Sequence, residues 1–509
     1  MKLNYKRTIL VGFAFFLISA FWQAYDATIP VILTNKFGMS QTWSGVIMAL
    51  DNILAVFLLP VFGAISDKCV GNRLGRRTPF ILIGTILAAV AFVGLSFVDA
   101  LQLEHISQVA AIDDPAALEI IYDTQADKTL LTPEGDSFVL AETFTKEEFI
   151  QIRSTENGDD YTNYVAPARQ AYAAEATAQS PQVLIAFIVL LLVVLVAMST
   201  FRSPAVALMP DVTLKPLRSR ANAVINLMGT AGGILVLVLG IVFSTSSTQN
   251  ALMRYTGFYT VIAGIMLIAL GIFMATVREK KWAQQMQEES VRLQIEDAPS
   301  ESGGSRSLSA GEKRSLIFIL LSIALWYFGY NAVTSKYAVY AGNILQKDYN
   351  TTLLLAQAAA VVAYLPAGMV ASKIGRKKTI LGGVVLLAAA FGAAGFMRSS
   401  SPTWLMNVLF ALAGIGWATI NVNSFPMVVE MCSGGDVGKY TGYYYTASMT
   451  AQIFTPMLSG FLMDRLGMTI LFPYAAIFAA LAFVTMSLVK HGDSKAAAKK
   501  GLEAFDLDD

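Results

Sequence analysis

Asp26 within residues 8–33, Asp51 within 43–66 and Arg202 within 182–209 are ionisable side chains inside apolar runs long enough to cross a bilayer. A charge in a membrane helix costs roughly 2.5–3.5 kcal/mol on insertion scales, so each needs a reason to be there. Asp26 lies about seven residues before the end of its run, and Asp51 about eight after the start of the next. At a rise of about 1.5 Å per residue, antiparallel helices would put the two carboxylates at one depth. A carboxyl group out of water and beside a second one holds a proton more readily than either does alone. Such a pair can take a proton on one side of a membrane and release it on the other. The two histidines, His105 and His491, fall outside every apolar run, so a proton relay would have to use carboxylates. Two other readings stay open: each aspartate hydrogen-bonds neighbouring backbone or Asn52 and ties helices together, or the same oxygens hold Na⁺.

Composition says what must carry these groups. The chain has 509 residues, 55% hydrophobic and 14% charged, with a mean hydropathy of +0.56. Soluble domains are about a quarter charged. An all-α integral membrane protein is expected, with the lipid bilayer as its surroundings. A net charge of +1 gives no sign of a nucleic-acid partner. Cys69 and Cys432 both adjoin basic loops; if those loops are cytosolic, both thiols stay reduced. The first apolar run is too long for a cleaved signal peptide and contains Asp26.

A span needs about 20 apolar residues. Twelve segments qualify: 8–33, 43–66, 79–98, 182–209, 220–245, 256–277, 315–338, 351–372, 379–398, 403–430, 439–463 and 468–489. Lipid leaves helix as the only way for such runs to satisfy their backbones, and they lack the alternation of barrel strands. Basic clusters follow the even-numbered connections: Lys2, Lys6 and Arg7; Lys68, Arg73, Arg76 and Arg77; Lys215, Arg218 and Arg220; Lys373, Arg376, Lys377 and Lys378. The positive-inside rule places that face, and both termini, in the cytosol, with the cell membrane as the location.

The domain reading follows. Residues 1–98 hold helices 1–3 and 182–277 hold helices 4–6 of a first bundle; 315–490 form a second bundle of helices 7–12. Residues 99–181 form an outer insert with about sixteen Asp and Glu against about four Lys and Arg. "PAALEIIYDTQ" and "TKEEFIQIRST" read as helical fragments of a cap; a disordered loop is the other reading. Residues 278–314 form a cytosolic linker that starts as a polar helix and ends rich in Ser and Gly, and 491–509 form a tail.

The two halves repeat each other. "LLPVFGAISDKCVGNRLGRRTPF" follows the second segment, and "YLPAGMVASKIGRKKTI" follows the eighth. Each has Leu-Pro, a glycine, a serine, a lysine and Gly-Arg-Arg/Lys. Segments 4 and 10 both end in a carboxylate, in "ALMPD" and "PMVVE". Duplicated units of this kind are used for rocking about a central site.

"GAISDK…GRR" resembles the loop signature of the major facilitator superfamily. It departs by a five-residue insertion in the first copy and by Ser372, where the aspartate would stand, in the second. "LDNILAVFLLPVFGAISD", "RLGRRTPF" and "WATINVNSFPMVVEMC" are similar to the branch of plant-type sucrose–proton symporters, beside the glycoside–pentoside–hexuronide:cation symporters. The resemblance covers all twelve segments but not the insert. It implies two pseudo-symmetric six-helix bundles and secondary active transport of a sugar or glycoside, of the sucrose or maltose type, by a monomer. It implies that Arg202 faces a central cavity and trades partners with an acid. Snorkelling to phosphates or a fixed pair with Asp211 are the alternatives. It also implies a cytosolic latch in which Asp67 caps the helix starting near Gly438, Arg76 or Arg77 reaches Asp211, and Arg376 reaches Glu430.

Sugars need amide or carboxylate partners for hydroxyls and aromatic faces for C–H surfaces. Trp22 and Gln23 beside Asp26, Tyr327 with Asn331, Trp417 with Asn421, and Ser448 with Gln452 recur at helical spacing, and Asn423 is near. Interhelical bonding explains the same residues equally well. No cofactor is expected beyond H⁺ or Na⁺ as the coupling ion. An enzyme is not expected, since there is no G-x-x-x-x-G-K-[ST] loop and no His/Cys metal cluster. An antiporter exporting drugs or metabolites is one rival reading, and a sensor or scaffold that moves nothing is another.

Overall fold

The computed structural model describes residues 3–69, 73–214, 217–293, 308–429, 431 and 437–492. Twelve long helices match the twelve segments: α1 Tyr5–Asn35, α2 Gln41–Lys68, α3 Thr78–His105, α4 Pro181–Val212, α5 Arg218–Val242, α6 Thr256–Thr276, α7 Ala310–Tyr340, α8 Tyr349–Ile374, α9 Arg376–Ala394, α10 Thr403–Val429, α11 Val437–Leu466 and α12 Leu471–Ser487. Among the described residues ten helices are long and apolar enough to cross a membrane unaided. α8 makes an eleventh as two pieces bent by 45° at Pro366, where proline removes a hydrogen bond and crowds the preceding turn. α11 has the length, but its first half reads "KYTGYYYTASMT", too polar to qualify.

Local signals start several helices where they begin. Ser309 and Glu312 form a capping box on α7, and Asp348 accepts from the N–H groups of Asn350 (3.0 Å) and Thr351 (3.1 Å) at the start of α8. The largest boundary difference is at α3, which runs to His105 rather than stopping near residue 98. Its polar last turns are buried: Asp99 holds Lys36 at 2.6 Å, both fully buried, and Gln102 donates to the Lys36 carbonyl and to Thr177 of the insert. Partners, rather than hydropathy, extend the helix.

The halves pack alike. α1 lies on α5 as α7 lies on α11, α3 on α4 as α9 on α10, α2 on α4 as α8 on α10, and α3 on α6 as α9 on α12. Each half has its own apolar core, built around Phe21, Phe92 and Tyr259 in the first and Trp326, Tyr337 and Phe472 in the second. Large apolar side chains such as Phe57, Val90, Ile268 and Val362 stay exposed, the surface that lipid would cover. The halves meet through α2 on α11, α5 on α8 and α1 on α7.

The insert is folded. "PAALEIIYDTQ" is the helix Pro115–Gln125, capped by Asp114, whereas "TKEEFIQIRST" yields only the single turn Lys146–Phe149. A two-stranded hairpin, Thr129–Leu131 with Ser137–Val139, and a helix Ala166–Gln179 complete it. Leu118, Ile121, Phe138, Phe149 and Val165 form a third core. Buried apolar surface, not just composition, decides between a cap and a loose loop.

Candidate functional site

A cavity of about 470 Å³ lies between the halves. From α1 it receives Ser19, Trp22, Gln23 and Asp26, where the adjacent Trp22 and Gln23 each lie three or four residues from Ser19 and Asp26, so that all four share one face. α4 contributes Arg202, and α5 contributes Asn222, Asn226 and Thr230. The second half supplies Tyr330, Gln357, Tyr364 and Trp417. Arg202 places its guanidinium 5.7 Å from the Trp22 ring centre, a cation–π contact. Tyr330 stacks flat on Trp417, with centroids 3.6 Å apart and planes 3° from parallel. Gln357 Nε2 donates to Gln23 Oε1 at 2.5 Å, an amide-to-amide bridge from one half to the other.

Asp26 is in the cavity wall. Asp51 Oδ1 accepts from the Asn52 backbone N–H (2.5 Å) and side-chain Nδ2 (2.8 Å). Asp51 is near enough to act electrostatically on Asp26, and Arg202 acts on Asp51. Of the alternatives for Arg202, the fixed pair with Asp211 is not what forms: Asp211 is occupied by Arg76 and Arg77, and Arg202 faces the cavity.

Several expected binding residues stand off this wall. Tyr327, absent from the wall, packs edge-on against Trp417 at 5.2 Å. Asn423, buried, donates to the Thr419 carbonyl one turn back at 2.8 Å, and Ser448 donates to the Tyr445 carbonyl at 3.2 Å. Asn331, Asn421 and Gln452 are also absent from the wall. Spacing identifies side chains that share a helix face, but not which face the neighbouring helices leave open. Gln357, Asn222, Asn226 and Tyr330 escaped notice. Three of them carried a signal: Gln357 is the lone amide in "LLLAQAAAVVA", and Asn222 and Asn226, with Thr230, repeat every four residues.

The basic face holds a network within the first half. Arg76 donates to Asp211 from Nη2 (2.7 Å) and Nε (3.2 Å), and Arg77 Nε reaches Asp211 at 2.9 Å. This is the expected pairing. Asp67 joins Arg77, while the start of α11 near Gly438, which it is expected to cap, has its side chains outside the described residues. The linker adds a partner not foreseen: buried Glu279 accepts from the backbone N–H of Arg76 (2.7 Å), Arg77 (2.9 Å) and Thr78 (2.8 Å), capping α3. Arg376 is buried at the start of α9, while Glu430 lies outside the described residues.

On the insert face the bonds cross between halves. Asp464, near the end of α11, accepts from the N–H groups of Gln41 (2.8 Å) and Thr42 (2.7 Å), capping α2. Lys336, fully buried on α7, donates to the Gln41 carbonyl at 2.6 Å. Backbones touch here: a Cβ on Gly45 would sit 2.0 Å from the Pro456 carbonyl oxygen, and one on Gly460 2.2 Å from that of Gln41. Ser246 donates to Asp348 at 2.5 Å, and Asn350 to Thr245 at 3.1 Å. The halves are shut on this side. The cavity wall instead runs down to Asn222, close to the basic-face end of α5.

Comparison with known proteins agrees with this architecture. Residues 10–102 match the family model "MFS/sugar transport protein", and residues 343–506 match "Major Facilitator Superfamily". The MFS-type transporter ppzB of Metarhizium rileyi is 29% identical over 154 residues, 30% of this chain and 31% of that protein. The protein of the same name from Metarhizium majus is 30% identical over 154 residues, 30% of this chain and 33% of its own. The match thus spans about a third of the length of these curated relatives. Among solved structures, the inward-open xylose transporter XylE from E. coli superposes with a TM-score of 0.57 at 14% identity, over 95% of this chain and 96% of that one. The nucleoside transporter NupG does so at 0.51 and 13%, over 96% and 100%. At such identities the likeness is one of fold. The two matched segments together take in about half of the sequence, and with this fold they settle the family: the chain belongs to the major facilitator superfamily.

Proposed function

We propose that the protein is a secondary transporter that couples a sugar or glycoside to an inward flow of protons by alternating access. One observation carries the reading: a cavity straddles the two halves and has Asp26 in its wall. About 470 Å³ falls within the 300–1,000 Å³ usual for small-molecule sites. Amides on both halves (Gln23, Asn222, Asn226 and Gln357) offer paired donors and acceptors for hydroxyls. Trp22 and the Tyr330–Trp417 stack give the wall aromatic surface for the C–H side of a pyranose. The Gln23–Gln357 bridge supports a closing mechanism, since a bound hydroxyl can replace either amide and keep the halves tied through itself.

Asp26 takes the coupling proton, Asp51 shares its field, and Arg202 exchanges acidic partners as the cavity changes sides. The polypeptide acts as a monomer in the cell membrane with the basic face cytosolic, so the cavity described above faces inward. The 278–314 linker and the tail lie in the cytosol.

The test is counterflow in proteoliposomes with a panel of labelled mono- and disaccharides, with and without an imposed pH gradient. One or a few sugars should exchange, with accumulation only under the gradient. Asp26→Asn should abolish accumulation and spare exchange. A flat panel removes the sugar assignment; accumulation surviving in Asp26→Asn removes the coupling role.

A further inference from the structure

A second, smaller cavity of about 70 Å³ lies on the insert side, apart from the central one. Three bodies wall it: the insert with Thr162 and Gln170, the first half with Ser247 and Thr248, and the second half with Gly342 and Asn343. Its wall also contains Arg169, of which 3% is exposed. The guanidinium donates through Nη1 to the Tyr161 hydroxyl and through Nη2 to the Ile112 carbonyl at 3.0 Å, while the buried Nε has no partner among the described residues. Among those residues no carboxylate stands within ion-pair distance of it. Asp113, next along from that carbonyl, is taken by the N–H (2.7 Å) and hydroxyl (2.8 Å) of Ser154.

A guanidinium cannot shed its proton, and a buried charge left without a counter-charge is costly. Neutral hydroxyl and amide donors beside it are what an anion binds. In the same measure one water takes about 10–15 Å³, so 70 Å³ admits a small anion with a few waters but excludes a sugar. We propose that this junction is a binding site for a small inorganic anion, chloride in the first instance, held by Arg169 under the folded insert. Because its walls come from both halves, a bound anion favours the state in which the insert face is shut. That consequence rests on the alternating-access reading; the binding itself does not.

The experiment is thermal unfolding of the purified full-length protein at constant ionic strength, replacing sodium gluconate stepwise by chloride, bromide or sulfate. Chloride and bromide should raise the midpoint saturably by several degrees. Arg169→Gln should lose the response. Gly342→Leu, which places a side chain where a Cβ meets no atom within 4 Å, should also lose it while leaving Arg169 in place. A rise with sulfate that both substitutions abolish would identify a tetrahedral oxyanion as the better occupant of the same site. The proposal is overturned if the natural protein shows no anion dependence, or if gluconate acts equally, or if both variants respond as it does. Sugar counterflow is irrelevant to these readouts, so failure here leaves the transport reading standing, and the reverse.

Discussion

The two faces of the molecule use the same chemistry to opposite effect. On the insert face Asp464 of α11 caps α2, Lys336 of α7 holds the Gln41 carbonyl, and Ser246 of the first half binds Asp348 of the second. On the basic face, among the described residues, Arg76, Arg77, Asp67, Asp211 and Glu279 bind one another within the first half and its linker. A bond can act as a gate only if its partners belong to bodies that move apart. The insert-face bonds meet that condition, and the basic-face bonds named above, which are those among the described residues, do not. On the α2–α11 pair, the carboxylate at the end of α11 has found its neighbour's N-terminus, and the carboxylate at the end of α2 holds Arg77.

The contrast can be broken at the backbone first. In Gly45→Ala the new methyl would meet the Pro456 carbonyl, so α2 and α11 could no longer close. A cysteine replacing cavity-lining Thr334 should then react at least several-fold faster with a membrane-impermeant thiol reagent added on the insert side. Unchanged labelling would show that this contact does not hold the face shut. Asp464→Ala comes next. It strips the cap from α2 and leaves buried donors unmatched, worth about 1–3 kcal/mol, and should raise the same labelling less steeply.

Asp211→Asn probes the other face. Freeing Arg76 and Arg77 should lower the unfolding midpoint, at a cost of about 1–2 kcal/mol given the partial exposure of Arg76, yet leave insert-side labelling unaltered. Faster labelling would mean that the two networks are coupled. The smallest effect is a pH response. Burial pushes the Asp348 carboxyl up, but hydrogen bonds from Ser246, Thr351 and the Asn350 and Thr351 amides outweigh it and hold it below the ordinary carboxylate range. A group depressed in this way stabilises the fold above its unfolded value, near about 3.9, and loses that contribution as pH falls through the folded one. Insert-side labelling, taken relative to a fully exposed cysteine so that the falling thiolate fraction cancels, should therefore rise modestly below about pH 4, and Asp348→Asn should flatten the acid response.

What could be read in advance follows a physical division. The Arg76/Arg77–Asp211 pairing was legible because the residues sit at the ends of adjacent helices with fixed spacing. Asp26 was legible because a charge in an apolar run is rare. Tyr327, Asn331, Asn421, Asn423, Ser448 and Gln452 were over-read, because periodicity does not say which helix face neighbours leave bare. Lys336 was visible as a lysine in an apolar run, but its value depends on Gln41, almost three hundred residues away.

By itself the sequence determined that the chain crosses a membrane, how many long helices it forms, that its halves repeat, and which face carries the cations. Those follow from hydropathy, helix rise and charge counts, all local along the chain. Only the tertiary structure decided which face is shut, that the acidic insert has a core of its own, and that Gln357 meets Gln23. Each of these depends on two surfaces meeting, and the free energy of such a meeting belongs to neither segment alone.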